Sequence, residues 1–219
     1  MKRLVASLIY MCMRLRDFED FGAKGTLGKN RQIYTSLYDY HAERQDRAGM
    51  VGWMAKDSQR RNYEHVAGDI RERDSILDFG CGVGDLVPFL ESRVGDFDYF
   101  GVDINEKFIR DARSTYPGYQ FQRIDSPIQV RGSYDLVVAL GVFTWYITEK
   151  DFKATIRELF RMADRTLMVT CLHTTTVPHS WTDTYRGYDE EVFRETLPDL
   201  EDHMEFEVVG ADLVVRFHK

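Results

Sequence analysis

Three cysteines are all that this 219-residue chain contains, at positions 12, 81 and 171. None stands within zinc-ligand spacing of another, and three widely separated thiols make no disulfide framework. No metal is therefore expected, and a reducing, cytoplasmic compartment is. Proline is also sparse, at 5 residues against 16 glycines, while 43% of residues are hydrophobic and 30% charged. That balance excludes a collagenous or intrinsically disordered chain. Nowhere does an apolar run approach the roughly 18–20 residues of a membrane span, so no membrane partner is expected. Residues 1–13 have a basic start and an apolar run, like the front of a secretory signal. Arg14, Leu15, Arg16 and Asp17 follow instead of a small-residue cleavage site, which predicts a packed N-terminal helix. Positive charge is in short supply too, with a net charge of -7. Proteins that coat a phosphate backbone are usually basic, so nucleic acid is a disfavoured partner.

The charge is unevenly distributed. Residues 1–61 hold 12 Lys+Arg against 7 Asp+Glu, and the remainder hold 17 against 29. A mildly basic N-terminal stretch thus precedes an acidic body, either as a solvated surface or as a guide for an anionic substrate. Residues 17–32, with Gly22, Gly25 and Gly28, read as a loop. Two helices follow, over 33–48 and 58–70.

From Ser75 the pattern changes. Apolar runs of strand length alternate with amphipathic runs. Strands are predicted at 75–80, 99–104, 119–125, 134–142 and 165–173. Helices are predicted between them, one capped by Asn105 and one opened by the pair Thr148 and Asp151. A further helix spans 189–197, and a hairpin turning at Gly210-Ala211-Asp212 closes the chain. This predicts an α/β fold: a Rossmann-like, seven-stranded, mostly parallel sheet with helices on both faces. The terminal hairpin supplies an antiparallel strand, and residues 1–74 form an N-terminal helical cap on a domain of 75–219. Nearly continuous apolar strands agree, because parallel strands are buried on both sides.

The chemistry-bearing stretch is Asp78-Phe79-Gly80-Cys81-Gly82-Val83-Gly84-Asp85. Strand, glycine loop and helix follow in order, so the backbone can turn sharply and approach a ligand closely. A dinucleotide fingerprint would place its third small residue at position 85, where this chain has Asp85. A pyrophosphate would meet an acidic side chain there, which disfavours a nicotinamide oxidoreductase. No Gly-Lys-Ser/Thr follows, so the P-loop is excluded. Nineteen residues after Gly84, Asp103 ends the second strand, where a carboxylate can accept hydrogen bonds from ribose hydroxyls.

In these residues the sequence resembles the class I S-adenosylmethionine-dependent methyltransferases. The acidic-x-Gly-x-Gly-x-Gly pattern (Asp78, Gly80, Gly82, Gly84), the acid at Asp103-Ile104, the acid at Asp125-Ser126 and the strand 134–142 all match, in order. Gly52-Trp53 followed by Ser58-Gln59 also resembles one bacterial branch of that family. The resemblance implies S-adenosylmethionine as cofactor, with Gly80, Cys81, Gly82 and Gly84 wrapping its methionine part. Asp103 would hold the ribose and Ile104 the adenine face, with Asp125 and Ser126 at the adenine amino edge. Leu140, Gly141 and Val142 would floor the pocket, and Trp53 and Gln59 would close over the carboxylate end. Asp78 would either touch the ligand or satisfy loop amides.

Methyl transfer from a sulfonium needs alignment and exclusion of water, and a base only when the acceptor arrives protonated. Phe143, Trp145, Tyr146 and His173 are the expected acceptor-side residues, with His173 and His179 as candidate bases. Leu140-Gly141-Val142-Phe143 stands where amino-methylating nucleic-acid enzymes carry Asn/Asp-Pro-Pro-aromatic, so a small-molecule acceptor leads. RNA or protein as acceptor, and a non-catalytic cofactor-binding role, stay open on the sequence.

Overall fold

The computed structural model describes residues 56–144, 147–176 and 186–219. The predicted elements before residue 56, along with Trp53, Trp145, Tyr146 and His179, lie outside the described residues. The chain runs through α1 (Lys56–Asp69), β1 (Ser75–Phe79), α2 (Leu86–Glu91), β2 (Asp98–Asp103), α3 (Glu106–Thr115) and β3 (Gln120–Arg123). It continues through β4 (Tyr134–Leu140), α4 (Glu149–Met162), β5 (Ala163–Leu172), α5 (Glu190–Thr196), β6 (Met204–Val209) and β7 (Asp212–His218).

The seven strands form one sheet in the order β3-β2-β1-β4-β5-β7-β6. The first five in that order are parallel. β7 runs antiparallel to both β5 and β6, so the hairpin inserts its second strand beside β5 and leaves β6 at the edge. Consecutive strand residues serve opposite faces. Ile76, Leu136, Val138, Met168 and Val214 face a core with Val66 of α1, Leu86 and Leu90 of α2, and Ile109 of α3. Leu77, Val137, Ala139, Val169 and Val215 face the other core, with Phe152, Ile156 and Leu159 of α4 and Phe193 of α5. Two apolar faces per strand explain why the sequence shows runs rather than alternation.

The caps of α3 and α4 follow the residues that predicted them, and α5 has one of its own. Asn105 accepts from the Lys107 and Phe108 amides at the start of α3. Thr148 accepts from the Asp151 amide at the start of α4, and Asp189 from the Val192 amide at the start of α5. Each satisfies a backbone donor that the first helical turn leaves over.

Helix α1, which the sequence assigns to the cap, is fastened to the sheet itself. Ser58 Oγ and Asn62 Nδ2 donate to Asp212 Oδ2 at 2.5 and 3.0 Å. Arg216 on β7 pairs with Asp69 at 2.7 Å. The Asp212 tie holds the end of α1 nearest Gln59 at the carboxyl end of β5, and the Arg216 tie fastens the far end of the helix.

Candidate functional site

Strand order reverses between β1 and β4, and in open α/β sheets the crevice at that point, beyond the strand carboxyl ends, receives ligands. There β1 stops at Phe79 and the chain turns. The Gly80 and Cys81 amides both donate to the Val102 carbonyl, at 2.8 and 3.0 Å, so the turn stays stitched to β2. Gly80 has φ +83, and a Cβ on it would lie 2.5 Å from Val142 Cγ2. Only glycine suits that backbone and that contact. The loops after β1 and β4 thus meet at the crevice floor.

Asp103 closes the loop from the other side. Its Oδ2 accepts from the Gly82 amide at 2.9 Å and its Oδ1 from the Asn105 amide at 2.8 Å. The carboxylate is fixed by backbone donors at the tip of β2. Burial raises its pKa, and hydrogen bonds from the Asn105, Gly82 and Ile104 amides oppose that rise.

Of the two roles its place in the motif predicts, Asp78 does not take that of satisfying the loop amides. Its Oδ2 accepts from the Tyr99 hydroxyl at 2.6 Å, while Asp103, not Asp78, is the carboxylate bonded to the Gly82 amide of the loop. Asp78 is 3% exposed. Burial pushes its carboxyl up to about 7, against the lowering effect of the Tyr99 hydrogen bond, and Asp103 adds to the rise.

A cleft opens over these groups, lined by Gln59, Tyr63, Asp78, Asp85, Leu140 and the glycine loop. Gln59 Nε2 donates to the Tyr63 hydroxyl at 3.0 Å, so the two form one polar unit on α1. Burial, with Asp78 and Asp85 nearby, holds the Tyr63 phenol well above its ordinary value. The cleft therefore presents carboxylates and neutral donors, a lining that suits a cationic or zwitterionic ligand.

The remaining sequence candidates are placed as follows. Ile104 is half-buried just beyond β2. Asp125 is gripped by both terminal nitrogens of Arg123. Ser126 caps a short 3-10 turn over Pro127–Gln129. Gly141 has φ +69, and its amide donates to both the carbonyl and the hydroxyl of Thr170. Phe143, expected beside the acceptor, is instead a core residue. The 3-10 turn Val142–Thr144 rotates it inward to 1% exposure, edge-on to Phe152 at 5.1 Å. His173 sits just past β5, its amide bonded to Ala211 and its Nδ1 2.8 Å from Thr175 Oγ1.

Tyr63, Tyr99 and Asp85 belong to the site although they were not among the sequence candidates. Two of them carried a signal. Tyr63 is one helical repeat beyond Gln59, and Tyr99 shares the period-two face of Asp103.

Residues 76–165 match the family model described as "Methyltransferase domain". The solved magnesium protoporphyrin IX methyltransferase of Synechocystis PCC 6803 with bound SAM superposes with a TM-score of 0.65 at 19% identity. That likeness covers 90% of this chain and 99% of the other. Residues 76–165 thus match a methyltransferase domain, in a fold shared with solved S-adenosylmethionine-dependent methyltransferases. The methyltransferase fold also matches the PH0226 protein of Pyrococcus horikoshii, with a TM-score of 0.62 at 16% identity over 84% of this chain and 98% of that one. In sequence, this chain is 31% identical over 94 residues to malonyl-[acyl-carrier protein] O-methyltransferase of Acetivibrio thermocellus, covering 42% of this chain and 32% of that protein. It is 28% identical over 82 residues to "Putative methyltransferase 235L" of Invertebrate iridescent virus 6, covering 37% and 31% respectively. The chain thus spans about a third of the length of these two relatives. Among the described residues no helix is long and apolar enough to cross a membrane.

Proposed function

We propose that this protein transfers a methyl group from S-adenosylmethionine to a small-molecule acceptor by direct displacement. One observation carries the reading. A carboxylate fixed at the tip of β2, Asp103, is bonded to the glycine loop after β1, at the carboxyl end of the sheet where the strand order reverses. The residues fit the cofactor chemically. Asp103 would hold the ribose hydroxyls, and Gln59, Tyr63 and Asp78 the zwitterionic amino-acid end. Ile104, Asp125 and Ser126 would border the adenine, and Leu140, Gly141 and Val142 the floor.

When bound, the cofactor supplies a methyl group on a sulfonium, which leaves as a neutral thioether. The protein's part is to orient and to exclude water. The loop hydrogen bonds to Val102 and the contact of Gly80 with Val142 keep the loop rigid. No protein nucleophile is required, and His173 is the described candidate for taking a proton from an acceptor that arrives protonated. Support for a small acceptor comes from the loop after β4, which lacks the motif of amino-methylating nucleic-acid enzymes, and from the small acceptor in the name of the Synechocystis neighbour.

The test is incubation with methyl-labelled cofactor and cell extract, fractionated by size. Label in the small-molecule fraction supports the reading. Label in RNA or protein overturns the acceptor class, and S-adenosylhomocysteine binding without any label overturns catalysis.

A further inference from the structure

Asp78 is an acid buried beneath the methionine end of the cleft, and its partner comes from the neighbouring strand. In the β1–β2 register Ile76 stands opposite Tyr99 and Asp78 opposite Gly101. Tyr99 therefore reaches diagonally along the sheet, and its hydroxyl donates to Asp78 Oδ2 at 2.6 Å. The diagonal distance is within reach of an aromatic side chain. Gly101 leaves room for the Phe121 ring and the Cys81 thiol beside this pair: a Cβ there would lie 2.7 Å from Phe121 Cδ1 and 2.9 Å from Cys81 Sγ. The Tyr99 ring is held by Tyr119 edge-on at 5.9 Å and by Phe121 at 5.7 Å, so its hydroxyl has a fixed aim.

We propose that Tyr99 is a positioning residue for the cofactor: by donating to one oxygen of Asp78 it keeps that carboxylate charged and aimed at the ammonium of the methionine end. This rests on the reading that the cleft holds S-adenosylmethionine. A fully buried carboxylate favours its protonated form, which cannot attract an ammonium. A hydrogen bond to the charged form works against that. The other groups around Asp78 do not supply the help. From α1 comes the neutral Tyr63 phenol, and from the loop the buried Cys81 thiol and the like-charged Asp85. From the end of β2 comes Asp103, which opposes ionisation. β4 presents only Leu136, Val138 and Leu140. Tyr99 is thus the donor among the described neighbours that favours the charged acid.

The experiment is calorimetric titration of S-adenosylhomocysteine from pH 6 to pH 9 into wild type, Tyr99→Phe, Asp78→Asn and the double variant. The ratio of wild-type to Tyr99→Phe affinity at each pH cancels titration of the ligand's own amino group. One pKa unit of lost stabilisation gives a ratio of about tenfold at pH 6 that falls to near one by pH 9. On the Asp78→Asn background the Tyr99→Phe ratio is expected to be flat across pH. A flat ratio on the wild-type background, with ligand still bound, overturns the positioning role and leaves the cofactor reading intact. No binding by wild type at any pH overturns both. Tyr99→Phe keeps its ring contacts. If it nevertheless fails to fold, Asp78→Asn alone decides: unless its affinity changes with pH less steeply than wild type's, the inference falls.

Discussion

The Gly82 amide donates to Asp103 Oδ2 at 2.9 Å, joining the glycine loop after β1 to the acid that ends β2. Two motif residues 21 positions apart are therefore one piece of structure. The same carboxylate also takes the Asn105 amide, so it fixes both the loop and the entry to α3.

Asp103→Asn tests that double duty. An amide presents only one acceptor atom, and its NH₂ would face one of the two backbone donors. Charged hydrogen bonds contribute about 1.5–3 kcal/mol each. The expected outcome is S-adenosylhomocysteine binding weakened roughly 100-fold, with a lower melting temperature from the unsatisfied amide. Titration calorimetry and thermal melting check the two effects separately. Unchanged affinity would remove Asp103 from the ribose site.

Gly80→Ala addresses the crevice floor. At φ +83 an L side chain is strained by about 1–2 kcal/mol. The added Cβ would also meet Val142 at 2.5 Å. Stability and ligand binding are both expected to fall. Adding Val142→Ala removes the collision but not the φ strain, so the double variant should recover only part of the loss. Full recovery would show that the backbone angle contributes nothing.

Most of the sheet was legible because each strand's character is local. Val137 and Val138 face opposite cores, and both must be apolar. The same holds for Ile76 and Leu77. The caps Asn105 and Thr148 were equally readable, since capping needs only one side chain and its next turn. The partner of Asp78 was not. It depends on the register of β2 against β1, which brings Tyr99 rather than a loop amide to its Oδ2. Phe143 was misplaced for a related reason. A single 3-10 turn decides whether the residue after β4 faces the cleft or the core, and its sequence looks the same either way.

Phe152→Ala measures the core that supports the acceptor side. Phe152 is fully buried among Phe143, Tyr188 and Phe193, with ring centroids at 5.1, 5.3 and 5.4 Å. Truncating such a residue costs about 3–5 kcal/mol. Urea unfolding should show that loss. Because the Tyr188 hydroxyl bonds the Phe143 carbonyl, the turn after β4 should loosen with it. Turnover is expected to suffer more than S-adenosylhomocysteine affinity, because the proposed ribose and amino-acid contacts lie on the β1–β2 side.

Asp78 also leaves a mark on stability. Folding raises its carboxyl from the ordinary 3.8 to about 7. Between those values the unfolded chain has released the proton that the folded protein still holds. Rising pH therefore drains stability through that window, and the loss levels off above about pH 7. Three pKa units correspond to about 4 kcal/mol as an upper figure. Asn at position 78 accepts from Tyr99 but carries no proton to lose. The difference in unfolding free energy between Asp78→Asn and wild type should therefore grow in the variant's favour from pH 4.5 to pH 7.5. Urea titrations across that range check it, and a pH-independent difference would mean that Asp78 is already ionised in the folded protein. A buried acid that weakens the ligand-free protein at neutral pH is what a site for a cationic ligand requires. Bound ammonium would restore what burial takes away, so S-adenosylhomocysteine should raise the wild-type melting temperature more at pH 7.5 than it raises that of Asp78→Asn.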